Sequence, residues 1–286
     1  MSNSAPNGKA LEYGLSEQLL ALGAVGTGST NQYQARDKIH FNSRPIHTRT
    51  RVIEASKVIT DWIKKHLASS VIEIERMPDV SIDVADLVVR AQNGKNLRLS
   101  IKFNHKALKH ARPYSLAQAC GMKKNSTEDI NHRVGIDIGT NRFRQFANKS
   151  GSTFYKQMPS QKSLLYQDIV NVCARSINSW HLKYGNSVAE TLFRFFVGSG
   201  FYKVIVSARP NGKIELQDFT NITIPHGVIA SSSGNGHYLM MEFDNQWKIN
   251  CRVHTASSKI PKVKSQLSLK FDVQMLNGTA LISRLP

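Results

Sequence analysis

The chain has 286 residues, 41% of them apolar, and a formal charge of +18 at pH 7. That apolar share suffices for a packed core and excludes global disorder, and the length suits one or two domains. No stretch approaches the ~18 apolar residues of a bilayer helix, and Met1 to Lys9 is polar, without the apolar segment of a secretory signal. Three scattered cysteines, Cys120, Cys173 and Cys251, offer no close pair for a disulfide framework or a zinc site, which points to a reducing cytoplasm.

Lysine and arginine number 38 against 20 acidic residues, so the protein sits in a field that attracts polyanions: DNA, RNA or an anionic membrane surface. A basic residue set that only solvates the surface is the plain alternative. The interleaving of Lys and Arg with His, Asn and Tyr favours nucleic acid, and no strongly amphipathic basic helix is present to lie on lipid.

In chain order, Leu11, Leu15, Leu19 and Leu22 predict a helix from Lys9 to Leu22, broken by Gly23 to Ser29. A second helix is predicted from Thr48 to Leu67, with Val52, Ile53, Ile59, Trp62 and Ile63 as its apolar stripe and Arg49, Arg51, Lys57, Lys64 and Lys65 opposite. Val71 to Glu75 alternates as a strand. Asn93-Gly94 then marks a hairpin turn between Leu87-Val88-Val89 and the alternating Leu97, Leu99, Ile101 and Phe103, so Asp86 to Phe103 reads as a β-hairpin. His105 to Lys156 is basic and mixed. Helical patterns return at Ser163–Trp180 and Ser187–Val197. Strands follow at Phe201–Ser207, Lys213–Gln217, His237–Phe243, Trp247–His254, Leu267–Met275 and Thr279–Ser283. The class is therefore α/β (α+β), with a boundary near Gly198–Gly200 that separates residues 1–198 from a β-rich 199–286, or a single continuous core.

Hairpin geometry brings Asp86, at the start of one strand, beside Lys102, sixteen residues later at the end of its partner. An acid and a lysine at a sheet's open end can hold a divalent metal, orient a water and stabilise charge developing on a phosphate. The plain alternative is an ordinary cross-strand ion pair.

Four segments carry a resemblance: Lys9-Ala10-Leu11-Glu12-Tyr13; Asp83-Val84-Ala85-Asp86-Leu87-Val88-Val89; Leu99-Ser100-Ile101-Lys102-Phe103-Asn104-His105-Lys106-Ala107-Leu108-Lys109-His110-Ala111-Arg112; and Arg252-Val253-His254-Thr255-Ala256-Ser257-Ser258-Lys259, with Leu269 to Gln274 downstream. Together they resemble the HaeIII-type restriction endonucleases of the PD-(D/E)XK nuclease superfamily. The resemblance implies a PD-(D/E)XK core, a mixed sheet with N-terminal helices, in a prokaryotic cytoplasmic type II endonuclease. It implies Mg²⁺ as cofactor, with Mn²⁺ able to substitute, and double-stranded DNA as substrate. A cognate DNA methyltransferase would be its functional partner, and palindromic cutting suggests a homodimer, with a sequentially acting monomer as the alternative. Asp86 would be the core metal ligand, Lys102 would position the water and stabilise the transition state, and Glu12 would be a further metal or water ligand. One departure stands out: Ser100 occupies the place, two before Lys102, where the signature has an acid. Serine ligates Mg²⁺ poorly, so Glu12 first, or Asp83 second, must supply the missing charge. Asp79, in the literal Pro78-Asp79 pair, is a less favoured alternative to Asp86, because no clear apolar strand follows it.

Asn104, His105, Lys106, Lys109, His110 and Arg112 form a basic stretch read as phosphate contacts, with Asn104 capping a short helix from Lys106 to Lys109. A histidine-dependent nuclease site at His105 is weaker, because no further ligand follows at a suitable distance. Gly135-Ile136-Asp137-Ile138-Gly139-Thr140 resembles a phosphate turn of sugar kinases; without partner motifs it is read as a plain turn. Trp180, Trp247 and the cysteines are read as core. Alternation places Arg252 and His254 on one strand face, followed by the small polar turn Ser257-Ser258-Lys259, and these are assigned to DNA recognition. The function expected is sequence-specific cleavage of double-stranded DNA. The alternatives are a DNA-binding protein on a decayed nuclease fold, or a nonspecific or repair nuclease.

Overall fold

The computed structural model describes residues 4–78, 84–104, 111–209, 212–261, 267–278 and 281–285. The chain begins α1 (Ser4–Ala21), β1 (Val25–Thr27), α2 (Thr30–Asn42), α3 (Ile46–Leu67), β2 (Val71–Arg76), β3 (Leu87–Ala91) and β4 (Asn96–Phe103). It continues α4 (Leu116–Ala119), α5 (Thr127–Ser150), α6 (Pro159–Tyr184) and α7 (Asn186–Phe196). Seven strands close it: β5 (Tyr202–Val206), β6 (Ile214–Asp218), β7 (Val228–Ser233), β8 (Tyr238–Phe243), β9 (Lys248–Thr255), β10 (Leu269–Asn277) and β11 (Leu281–Leu285). Mixed α/β architecture with a mixed sheet is what the patterning implies. No helix among the described residues is long and apolar enough to cross a membrane.

Contacts divide the chain into two units, Met1–Lys106 with Gly198–Ile222 and Ala280–Pro286, and Ala107–Val197 with Thr223–Thr279. This division differs from a cut at 198–199, because the first unit's sheet takes strands from both sides of that point. Its order is β1-β2-β3-β4-β5-β6-β11. β4 pairs in parallel with β5, from Leu99 beside Tyr202 to Phe103 beside Val206.

In this unit the hairpin forms as the alternation demands, turning at Gly94, whose φ of +80° suits a residue without Cβ. Leu87, Val89, Leu97, Leu99, Ile101 and Phe103 point to one side and pack on Leu11, Leu15 and Leu19 of α1 and on Val52, Ile59 and Ile63 of α3. Each such side chain stabilises the fold by roughly 1.5–3 kcal/mol on burial. Ile53, expected in the α3 stripe, is 40% exposed instead. α3 runs back along the hairpin. Its last carbonyl, Leu67 O, accepts from Asn93 Nδ2 at 3.0 Å, while Arg51 near its start donates to Ser207 O at 3.1 Å and to Gly212 O. Helix α2 has no counterpart in the sequence reading. Its buried positions, Thr30, Gln34 and Asp37, are spaced helically but are polar, so hydrophobic periodicity is blind to it.

In the second unit, α5, α6 and α7 accompany an antiparallel sheet ordered β10-β9-β8-β7. α6 meets β7 through Asn178, whose amide bonds both the N–H and the carbonyl of Ala230 at 2.8 Å. The Gly135–Thr140 segment is not a turn but lies inside the 24-residue α5. A Cβ at Gly135 would come within 3.0 Å of Val172, and one at Gly139 within 3.0 Å of Asp168, so these glycines let α5 and α6 approach closely. Ser126 caps α5 by accepting from the Asp129 N–H, and Gly151 ends it at φ +63°. Trp180, Trp247 and the three cysteines are buried, as read from the sequence.

His132 on α5 is buried. Pro113 O can only accept, so Nε2 donates to it at 2.8 Å, and Nδ1 shares a hydrogen bond with Ser176 Oγ at 2.9 Å. Burial holds its pKa below the ordinary 6.5. The folded state therefore resists protonation that the unfolded chain accepts, and stability present above pH 6.5 is lost as pH falls below it. Thermal unfolding followed from pH 8 to 5 should show this acid loss, and His132→Gln should flatten it.

Candidate active site

The open end of the first unit's sheet collects the C-terminal ends of β2, β4 and β5 and the start of β3. Leu87 pairs with Leu99, so Asp86 stands opposite Ser100, and the Asp86 N–H donates to Leu99 O at 2.7 Å. Because Leu99, Ile101 and Phe103 point at α1 and α3, strand alternation turns Ser100 and Lys102 to the opposite face, where Asp86 meets them. Asp86 Oδ2 accepts from Lys102 Nζ at 3.0 Å, from the Ile101 N–H at 2.6 Å and from Ser100 Oγ at 3.3 Å. The Asp86 and Lys102 side chains remain 23% and 30% exposed, so solvent and a substrate can reach them. Among the described residues none donates to Asp86 Oδ1.

Glu12 reaches the same end from α1. It is 6% exposed, and its Oε2 accepts from Arg76 Nη2 at 2.5 Å and from Lys9 Nζ at 3.2 Å. Burial, and then the nearby Asp86 carboxylate, push its pKa above the usual range against the pull of Lys9 and Arg76.

The sequence reading missed what holds Glu12. Arg76, 2% exposed, ends β2 and also bonds Asp37 Oδ2 at 2.6 Å and Gln34 Oε1 at 3.2 Å. Arg36 clamps Asp37 from the same helix at 2.6 and 3.0 Å. Burial pushes the Asp37 carboxyl up, but the hydrogen bonds from Arg36 and Arg76 prevail and hold it below its ordinary value. One signal was available: Arg76 stands two residues after the inward Ile74, an inward position that ordinarily carries an apolar side chain.

Among the described residues, no group of three or more His, Cys, Asp or Glu side chains is gathered to hold a metal. Mg²⁺ does not require one, since it keeps several waters and binds through one or two carboxylates plus substrate phosphate. Asp86 and Glu12, each with its contacts concentrated on one oxygen, fit that demand.

Of the other residues assigned from sequence, Asp83, His105, Lys106, Lys109 and His110, the alternative Asp79 and the short helix at 106–109 lie outside the described residues. Asn104 is exposed, with φ +54°, and donates its N–H to Val206 O at 2.7 Å. Arg112 is exposed in the second unit, preceding Pro113. In that unit Arg252 and His254 do share a face of β9, and both meet Asp272 of β10: Arg252 Nη2 at 2.7 Å and His254 Nε2 at 3.2 Å. Ser258 O accepts from the Tyr155 N–H, Ser257 Oγ accepts from the Lys259 N–H at 3.1 Å, and Lys259 Nζ lies 5.9 Å from the Phe154 ring.

The two ion-paired clusters should respond differently to mutation. Lys102→Ala removes one partner of a partly exposed pair and should change stability by less than about 1 kcal/mol. Arg76→Met removes the guanidinium that buried Glu12 and Asp37 share and should cost about 3–5 kcal/mol. Denaturant unfolding of both variants checks the contrast.

No protein-family model, curated protein or solved structure matches the chain, so the chemistry of this site rests on its own residues.

Proposed function

We propose that this protein is a Mg²⁺-dependent endonuclease that cleaves double-stranded DNA at a specific sequence, built on a PD-(D/E)XK-type core and acting as a type II restriction enzyme. The observation that carries this reading is the 3.0 Å contact between Lys102 Nζ and Asp86 Oδ2 at the open end of the β3–β4 hairpin, in a chain whose charge of +18 favours a polyanionic substrate.

In this reading Asp86 and Glu12 would hold the cation. When bound, Mg²⁺ supplies neutralisation of the phosphodiester charge and acidifies water. Lys102 faces the scissile phosphate. Its ammonium orients the attacking water and stabilises the negative charge that grows on the phosphoryl oxygens as the water oxygen bonds to phosphorus. The bond from phosphorus to the sugar oxygen breaks, the water gives up a proton to solvent, and the departing sugar oxygen takes one up. Ser100 contributes by holding Asp86 in place rather than by ligating metal. Arg252, His254 and Lys259 in the second unit are assigned to DNA, with Asp272 as the counter-charge for the first two in the free protein.

Plasmid or phage DNA incubated with the protein and Mg²⁺ should give discrete bands. A smear indicates a nonspecific nuclease. Intact DNA with retained binding indicates a DNA-binding protein on a decayed nuclease fold. Asp86→Asn and Lys102→Ala should each lower cleavage by about 10²–10³-fold or more while DNA binding survives. Near wild-type cutting by either variant would remove the residue from the site.

Binding measurements separate the roles in the second unit. Arg252→Ala should cost roughly 1–3 kcal/mol and relax preference at one base pair. Lys259→Ala should weaken all sequences alike and reduce the salt slope by about one. Unchanged affinity and specificity in both would take this face out of the interface.

A further inference from the structure

Resting on the nuclease reading above, we propose that Arg76 is a positioning residue for Glu12, and that Asp37 makes its hold exchangeable. Glu12 can then leave the guanidinium for a divalent cation without stranding a buried positive charge.

Three elements meet at this cluster: α1 brings Glu12, β2 brings Arg76 and α2 brings Asp37. One guanidinium nitrogen, Nη2, serves both carboxylates, at 2.5 Å to Glu12 and 2.6 Å to Asp37. Other groups of Arg76 are held as well, while its buried Nε has no hydrogen-bond partner among the described residues. Nη1 bonds Gln34, its backbone N–H donates to Thr30 Oγ1 at 3.0 Å, and the Tyr33 ring lies 5.8 Å from its guanidinium carbon. These contacts oppose any movement of the arginine after Glu12.

A buried guanidinium without a carboxylate is strongly unfavourable. With Asp37 fully buried beside it, Arg76 keeps one partner in either state. The two acids share one charge, so strengthening either contact weakens the other. Arg36 modulates the balance, because it competes with Arg76 for Asp37 Oδ2, at 3.0 Å against 2.6 Å. Replacing Asp37 with asparagine commits Arg76 to Glu12 and opposes metal entry. Removing Arg36, whose side chain is 41% exposed, commits Asp37 to Arg76 and favours it.

The test is Mn²⁺ binding to the full chain without DNA, read from the loss of the free-ion electron paramagnetic resonance signal. Asp37→Asn should raise the Mn²⁺ dissociation constant about tenfold, the size expected when an outer-shell partner is lost. Arg36→Gln should lower it. In a Glu12→Gln background, Asp37→Asn should add no further change. Arg36→Gln alters a half-exposed residue and keeps the test decisive if Asp37→Asn fails to fold. Unmoved constants, shifts in the same direction for the two variants, or a full Asp37→Asn effect without Glu12 overturns the proposal and leaves the cluster as scaffold. A wild-type protein that binds no Mn²⁺ overturns the proposal, and one that also leaves DNA uncut overturns the nuclease reading with it. One that binds Mn²⁺ and cuts DNA while the variants behave as wild type overturns the Arg76 proposal alone.

Discussion

Register across β3 and β4 governs the open end of the sheet. Because Leu87 pairs with Leu99, Asp86 falls opposite Ser100 and one residue short of the core. A slip of one residue would carry Asp86 to the side packed by α1 and α3 and send Leu87 outward, exchanging a buried leucine for a buried charge. The apolar alternation Leu97, Leu99, Ile101, Phe103 forbids that slip. The same alternation that builds the core thus fixes Ser100 and Lys102 on the opposite face, where they meet Asp86. Parallel pairing with β5 then brings Ile205 beside Lys102 and Val206 beside Phe103, and Asn104 closes the strand on Val206 O.

The helix side of that end is organised differently. There the inward positions are filled by Glu12, Asp37 and Arg76, whose burial is costly and whose mutual attraction only offsets it. A hydrophobic set of the same volume would stabilise the fold at least as well. The cluster is therefore more readily understood through what it presents, a carboxylate at the edge of the sheet near Asp86, than through stability.

This contrast explains which parts could be read from sequence. The hairpin announced itself through Asn93-Gly94 and strict alternation, and α1 and α3 through leucine and isoleucine spacing. Helix α2 stayed hidden because the side chains it buries are Thr30, Gln34 and Asp37, a helical stripe written in polar residues. Helix α5 was hidden for another reason. Gly135 and Gly139 look like turn residues, yet their service is close packing on Val172 and Asp168. Its capping residues, Ser126 at the start and Gly151 at the end, were the better guide. Asp86 and Lys102 could be paired from spacing alone, since one hairpin carries both. Arg76 and Asp37 could not, because their meeting depends on how β2 and α2 pack. The division into units was equally out of reach. Nothing local says that β5, about a hundred residues after β4 in sequence, returns to pair beside it.

Ser100 stands opposite Asp86 across the hairpin. On the proposed reading an acid is missing from the hairpin, and the serine in its place donates to Asp86 Oδ2 at 3.3 Å alongside the Ile101 N–H and Lys102 Nζ. Three donors on one oxygen fix the orientation of Asp86. An acid at position 100 would instead set two carboxylates side by side within one hairpin, where each raises the cost of ionising the other. Taking the second carboxylate from α1 separates the two acids onto different elements. Their spacing is then set by how α1 seats on the sheet, and at this end Glu12 on Arg76 is a polar contact that holds the seat. Precision at the open end of the sheet therefore depends on a buried arginine on its helix side.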